Sequence, residues 1–194
     1  MHLVVGLGNP GDEYRDNRHN VGFMVVDELL ARARGSALRA KFGAEIAEVT
    51  LSGKRVLLCK PMEFMNVSGK AVAQVAGFWK IPVADTVVVH DELDVPFGRL
   101  KLAAGGGPGG HNGVRSLIAT LGEPNFPRVR FGIGRPAPGR DAADYVLADF
   151  SRAEARDLPE LRMLAADAVE AILTGGVAAA MNKFNGKAVT TTKQ

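Results

Sequence analysis

The 194-residue chain is 46% hydrophobic and 23% charged with a formal net charge of +3, which excludes wholesale disorder and describes one globular domain. No apolar run approaches the ~20 residues of a membrane span, and Met1-His2 leads into Leu3-Val4-Val5-Gly6 without the regions of a signal peptide, so a cytoplasmic location is expected. Cys59 is the single cysteine, which excludes a disulfide framework or a cysteine zinc cluster and fits a reducing compartment.

Leu3 to Leu7 reads as a short buried strand entering a glycine turn. Asn20 is placed to cap a helix from Val21 to about Arg34, with Val21, Met24, Val25, Leu29 and Ala33 near helical spacing and Gly35 ending it. Ala44–Leu51 and Lys54–Lys60 form a predicted hairpin around Ser52-Gly53. The spacing of Val72, Val75, Ala76 and Trp79 predicts a helix from about Ser68 to Lys80, closed by Pro82. Thr86–His90 is a buried strand running into the acidic Asp91-Glu92-Leu93-Asp94. A short strand at Arg99–Leu102 precedes the glycine run Gly105–Gly110, and Asn112 caps a helix to about Leu121. Arg128–Ile133 reads as a strand alternating basic and apolar residues. Phe150 to Phe184 is mostly helical, broken at Gly175-Gly176, and the tail from Asn185 is polar and frayed. Strands alternating with helices predict a single-domain α/β sandwich whose hairpin makes the sheet mixed.

The charge is unevenly spread. Between Val95 and Arg140 lie Arg99, Lys101, Arg115, Arg128, Arg130, Arg135 and Arg140 against one acid, Glu123, so this stretch carries +6 and the rest −3. Two readings fit: a surface for an anionic partner such as a nucleic acid backbone, or a set of solvated arginines.

Gly6-Leu7-Gly8-Asn9-Pro10-Gly11 fits the G-x-G-x-x-G dinucleotide pattern after a strand. That reading fails, because no helix starts at the glycines and the polar Asp12–Arg18 segment intervenes. The turn instead brings Asn9 to the carboxyl edge of the sheet. His19 before the first helix and Asp91 after a buried strand also fall at that edge. Alone, His19 fits a packing role and Asp91 a turn cap; together, a carboxylate on one imidazole nitrogen fixes the tautomer and raises the basicity of the other. The glycine run lacks the Gly-Lys-Ser/Thr ending of a phosphate loop, and reads better as a mobile lid presenting His111 and Asn112 than as a plain loop. With no G-x-S-x-G serine and no dedicated metal-ligand cluster, His–Asp activation of water is the remaining route, and the amides of Asn9, Asn66 and Asn112 suit acyl transfer to water.

GLGNPGDEYRDNRHNVGF, KPMEFMNVSGKAV, VVVHDELDVPFG, GGGPGGHNGVRS and FPRVRFGIGRP occur in this order across roughly residues 3–136. Together they resemble the bacterial peptidyl-tRNA hydrolase family. The resemblance implies a three-layer α/β/α sandwich over residues 1–186, with a frayed tail over 187–194. It implies a monomer that hydrolyses the ester between a peptide and the 3′ ribose of tRNA, recycling tRNA from aborted translation without metal or other cofactor. By the same resemblance, His19 is the general base, Asp91 orients it, and Asn9 helps to distinguish peptidyl- from aminoacyl-tRNA. Asn66 and Asn112 match substrate-binding amides, with His111 beside them, and Tyr14 and Phe64 match contacts near the scissile end. Arg130 matches a phosphate contact. Where many members carry a basic residue before the glycine run this chain has Ala103-Ala104, leaving Arg99 and Lys101 as the nearest cations, and Pro108 stiffens the run. The competing expectations are a non-catalytic RNA-binding relative, similar to plant organelle splicing factors built on this fold, and a nucleotide-dependent enzyme.

Overall fold

Leu3–Val5, Val56–Cys59 and Val87–Val89 are apolar runs buried throughout, the signature of central strands covered on both faces. In the computed structural model, which describes residues 1–188, they lie in a seven-stranded sheet. The strands are β1 (His2–Gly6), β2 (Arg39–Lys41), β3 (Ala44–Leu51), β4 (Lys54–Pro61), β5 (Thr86–Glu92), β6 (Leu100–Ala103) and β7 (Arg128–Gly132), in the order β2-β3-β4-β1-β5-β7-β6. β4, β1, β5 and β7 are parallel; β2, β3 and β6 pair antiparallel, so the sheet is mixed. Helices α1 (Val21–Arg32) and α5 (Arg152–Phe184) cover one face, burying Val4, Val87, Val89 and Phe131. Helices α2 (Ser68–Trp79) and α3 (Asn112–Leu121) cover the other, burying Leu3, Val5, Leu57 and Val88. This is the expected three-layer α/β/α sandwich.

Local differences have local causes. Arg34 (φ 48°), not Gly35, takes the left-handed conformation after α1, and Lys80 (φ 53°) does so after α2. Neither Asn20 nor Asn112 caps a helix through its side chain; Asn20 is turned onto Asn9, and His111 caps α3 by accepting from the Val114 N–H. Asp91 lies inside β5, paired in register with Phe131, rather than beyond it. The exposed β2 and the five-residue helix α4 (Ala142–Val146) are too short for a periodic signal. Asn185, expected to open a frayed tail, is held by edge strand β6: its side chain accepts from Leu102 N at 2.7 Å and donates to Leu102 O at 3.1 Å. Ala188 bridges Arg99, and residues 189–194 lie outside the described residues.

Although charged residues interrupt its apolar stretches, α5 is long and apolar enough on average to pass for a membrane span by length and composition. Leu161, Ala165, Val169 and Leu173 are buried against the sheet, and Arg32 of α1 pairs with Asp167 at 2.6 Å and Glu170 at 3.0 Å. It is therefore one outer helix of this sandwich. Gly176 (φ 82°, ψ 163°) breaks it where Gly175-Gly176 predicts a break.

The start of α1 lies unusually close to the sheet. A Cβ on Gly22 would sit 2.3 Å from Leu7 N and 2.6 Å from Val89 O, both backbone atoms that cannot swing away. Gly22→Ala should therefore destabilise the protein by about 3 kcal/mol. Gly77→Ala, at an exposed helical site with nothing within 4 Å, should stabilise it by ~0.5–1 kcal/mol. Urea unfolding of both variants tests this, and a neutral Gly22→Ala would refute the close approach.

Candidate active site

The connections leaving adjacent strands β1 and β4 go to opposite faces, to α1 and α2, opening a crevice at the carboxyl edge of the sheet. Asn9 sits there, 7% exposed and fixed by three hydrogen bonds. Its N–H donates to Asn20 Oδ1 (2.9 Å), its carbonyl accepts from Asn20 Nδ2 (2.8 Å), and its Oδ1 accepts from Met65 N (2.8 Å). The Asn9 Nδ2 group is left as the uncommitted donor of a locked side chain. Asn20 is thus a residue that sequence reasoning misassigned.

His19, in a 3-10 turn (Arg18–Asn20), places Nδ1 3.0 and 2.9 Å from the two Asp91 oxygens, and His111 Nε2 lies 2.8 Å from Asp91 Oδ1. Asp91 therefore joins two imidazoles whose ring centroids are 5.0 Å apart. Burial alone would lower the His19 pKa, but the Asp91 charge and hydrogen bond outweigh it and hold it above the ordinary 6.5. Burial would likewise raise the Asp91 pKa; His19 and His111 outweigh it and hold the carboxyl well below the usual carboxylate range. Nδ1–H of His19 donates to the carboxylate, which leaves Nε2 as the acceptor on the cleft side.

The donor atoms of His19, Asp91 and His111 lie within 4.8 Å of one another, a spacing that also suits a metal ion. The wiring of His111 opposes that use. Its Nδ1 accepts from Val114 N at 3.3 Å, so the proton of the neutral ring is on Nε2, the atom that faces Asp91. A metal ligand there would need the opposite tautomer.

One cleft of about 730 Å³ is lined by Asn9, Tyr14, His19, Phe64, Asn66, Asp91, His111 and Asn112, so the structure brings together eight of the eleven expected site residues. Asn66, Asn112 and Phe64 are exposed at its rim. The His111 side chain is only 7% exposed, hence part of the buried network rather than displayed on a lid. Val146 and Leu147 and the ion pair Arg135–Asp94 (2.6 Å) add walls that sequence reasoning did not identify.

The three basic candidates lie outside the cleft. Lys101 pairs in register with Arg130, and Arg99 and Lys101 are exposed while Arg130 is half-buried. Arg128, expected to stand beside Arg130 on the basic face, is 1% exposed and committed to carbonyls. It donates to Gly106 O, to Gly107 O at 2.7 Å and to Pro124 O at 3.1 Å. Arg18, another missed residue, donates to Glu154 Oε2 and Asp149 O at 2.8 Å each and stacks on Tyr145, tying the His19 turn to α4 and α5.

His90 packs edge-on against His111 (4.8 Å) and donates from Nδ1 to Asp91 O at 2.7 Å. Burial pushes its pKa down to about 3, so the folded protein holds it neutral. Between pH 6 and 4 the unfolded chain binds a proton here that the folded chain does not, so stability falls as pH drops, by ~1.4 kcal/mol per unit. His19, with a raised pKa, is protonated in both states over this range and adds no slope. Urea unfolding at pH 4, 5 and 6 should show a steeper loss for wild type than for His90→Gln; equal slopes would contradict the neutral burial.

The peptidyl-tRNA hydrolase family model matches residues 3–192. The chain is 53% identical over 193 residues to a peptidyl-tRNA hydrolase of Kineococcus radiotolerans, covering 96% of this chain and 98% of the relative. It is 54% identical over 185 residues to that of Frankia alni, covering 94% and 93%. The crystal structure of peptidyl-tRNA hydrolase from Acinetobacter baumannii superposes with a TM-score of 0.90 at 35% identity, over 97% of this chain and 96% of that one. With the motifs, the sandwich and the cleft in agreement, the chain belongs to the peptidyl-tRNA hydrolase family.

Proposed function

We propose that this protein hydrolyses the ester joining a peptide, or an N-blocked aminoacyl group, to the 3′ ribose of tRNA, with His19 as general base. The observation that carries this reading is the His19 Nδ1–Asp91 hydrogen bond, which directs Nε2 into a cleft rimmed by amides. Nε2 takes a proton from water as its oxygen attacks the ester carbonyl, and Asp91 supports the imidazolium that forms. The uncommitted Nδ2 of Asn9, with Asn66 and Asn112, offers neutral donors to the developing oxyanion. Collapse of the intermediate breaks the ester bond, and the proton passes to the leaving 3′ oxygen. Tyr14, Phe64, Val146 and Leu147 supply an apolar wall for the peptide end. His111 acts through Asp91 as a fixed donor.

The tRNA body is held through phosphates by Arg130 and Lys101, paired across β6 and β7, with Arg99 beyond them. Lys101 thus serves in place of the basic residue absent at Ala103-Ala104. Phosphate contacts do not read bases, which suits an enzyme that accepts many tRNAs. The reaction is cytoplasmic, independent of metal and membrane, and carried by a monomer, since one chain provides the whole cleft. The complete His–Asp pair favours an enzyme over a non-catalytic RNA-binding relative.

His19→Ala should lower kcat on N-acetyl-aminoacyl-tRNA by ~10²–10⁴-fold while tRNA binding persists, and Asp91→Asn should lose less. Because the base must be unprotonated, wild-type kcat/KM should fall as pH drops through a value above 6.5. Chelator should leave the rate unchanged. A His19→Ala variant retaining half of the wild-type rate would remove His19 from the role.

Arg130→Ala should raise KM for full-length substrate and flatten its salt dependence, while an ester of the trinucleotide CCA is cleaved nearly as before. Equal losses on both substrates would place Arg130 in the chemistry or the fold instead.

A further inference from the structure

We infer that Arg128 is a positioning residue that couples phosphate binding on the β6–β7 face to the arrangement of the cleft. The inference rests on the proposed reaction and on Arg130 as a phosphate contact. Arg128 joins two loops that bracket α3. Its guanidinium holds Gly106 O and Gly107 O before the helix and Pro124 O after it, and stacks on Phe126 at 4.5 Å. The first loop leads within four residues to His111, which bonds Asp91, and to Asn112 at the cleft rim. Backbone N–H of His111 closes that segment on Pro108 O at 3.0 Å. A cation clamping these carbonyls therefore sets the start of α3.

The clamp is not independent of Arg130. The two residues alternate on β7, which puts both side chains on one face with Cα atoms ~7 Å apart. A Cβ on Gly106, the residue whose carbonyl Arg128 holds, would lie 3.7 Å from an Arg130 guanidinium nitrogen. Burial and the charge of Arg130 lower the Arg128 pKa to about 10, while Glu92 opposes them. An anion bound at Arg130 screens that repulsion and strengthens the clamp. By linkage, the clamp in turn favours the anion. A tRNA body thus tightens the support beneath His111 and Asn112, and raises turnover as well as affinity.

The test compares Arg128→Lys with wild type on N-acetyl-aminoacyl-tRNA and on the CCA ester. Lysine keeps the charge but loses the planar fork that reaches three carbonyls. The expected result is a fall in kcat on both substrates, 5- to 10-fold larger on the full-length substrate than on the CCA ester. Equal losses on both substrates, or no loss on either, would overturn the coupling. Should Arg128→Lys not fold, hydrogen exchange of the wild type answers the same question. A 5′-phosphorylated acceptor-stem hairpin should slow exchange of the Gly106–His111 amides in wild type and not in Arg130→Ala; no slowing in wild type overturns the inference. Failure of wild type to cleave either ester would refute the proposed reaction instead, a result separate from all of these.

Discussion

The site is organised around one buried carboxylate shared by two imidazoles. Asp91 is 3% exposed and lies within a central parallel strand, where a lone charge would be strongly disfavoured. His19 and His111 approach it from the starts of α1 and α3, which lie on opposite faces of the sheet. The carboxylate can remain charged because both rings donate to it, and both rings are oriented because it is there. Removing one partner from such a buried pair typically costs about 3–5 kcal/mol, so the geometry is held by the folding energy of both layers. The close approach of Gly22 to β1 and β5 follows from the same need: α1 must start low enough over the sheet for His19 to reach Asp91.

Around this charged centre the cleft presents the neutral amides of Asn9, Asn66 and Asn112. Asn20 holds the backbone of Asn9 on both sides, and Met65 N–H holds its side-chain oxygen. Two loops of the sheet edge, one after β1 and one after β4, are thereby fastened to each other through a single asparagine. An amide donor fixed in this way needs little reorganisation as charge develops on a substrate oxygen. The carboxylate needs neutral or cationic donors on its buried side. On the cleft side, the amide donors of Asn9, Asn66 and Asn112 carry no charge.

Much of this was legible in the sequence. The apolar runs at Leu3, Val56 and Val87 specify central strands, and the Ser52-Gly53 turn, with φ of 47° and 75°, specifies the hairpin. Asn9 in the turn after β1, His19 just before α1 and Asp91 close to the end of β5 could all be placed at the carboxyl edge of the sheet. What the sequence conceals is the destination of side chains that have two local options. Asn20 and Asn112 both stand where a cap belongs, yet Asn20 bonds eleven residues back, and His111 takes the cap beside Asn112. Local patterns carry no information on which long-range partner wins. The same limit hides the Arg18 anchor, whose partners Tyr145, Asp149 and Glu154 lie about 130 residues away, beyond the motifs.

Charge counting meets that limit most sharply. The basic stretch from Val95 to Arg140 looks uniform in sequence, and the structure divides it by burial. Arg128 lies inside, its cation hydrogen-bonded to carbonyls rather than paired with a carboxylate, while Arg130 and Lys101 meet across two strands with their charge available to solvent. Arg135 is bonded to Asp94 at the cleft wall. A net charge of +6 therefore overstates what a polyanion would meet, and the part that remains is concentrated on one edge of the sheet. That edge shares β7 and the glycine run with the buried network, so the exposed cations and the buried network beside the cleft are parts of one continuous support. A protein that must hold a large anion by one end and cleave an ester at the other gains from such continuity, because the grip and the geometry of the cleft cannot then vary independently.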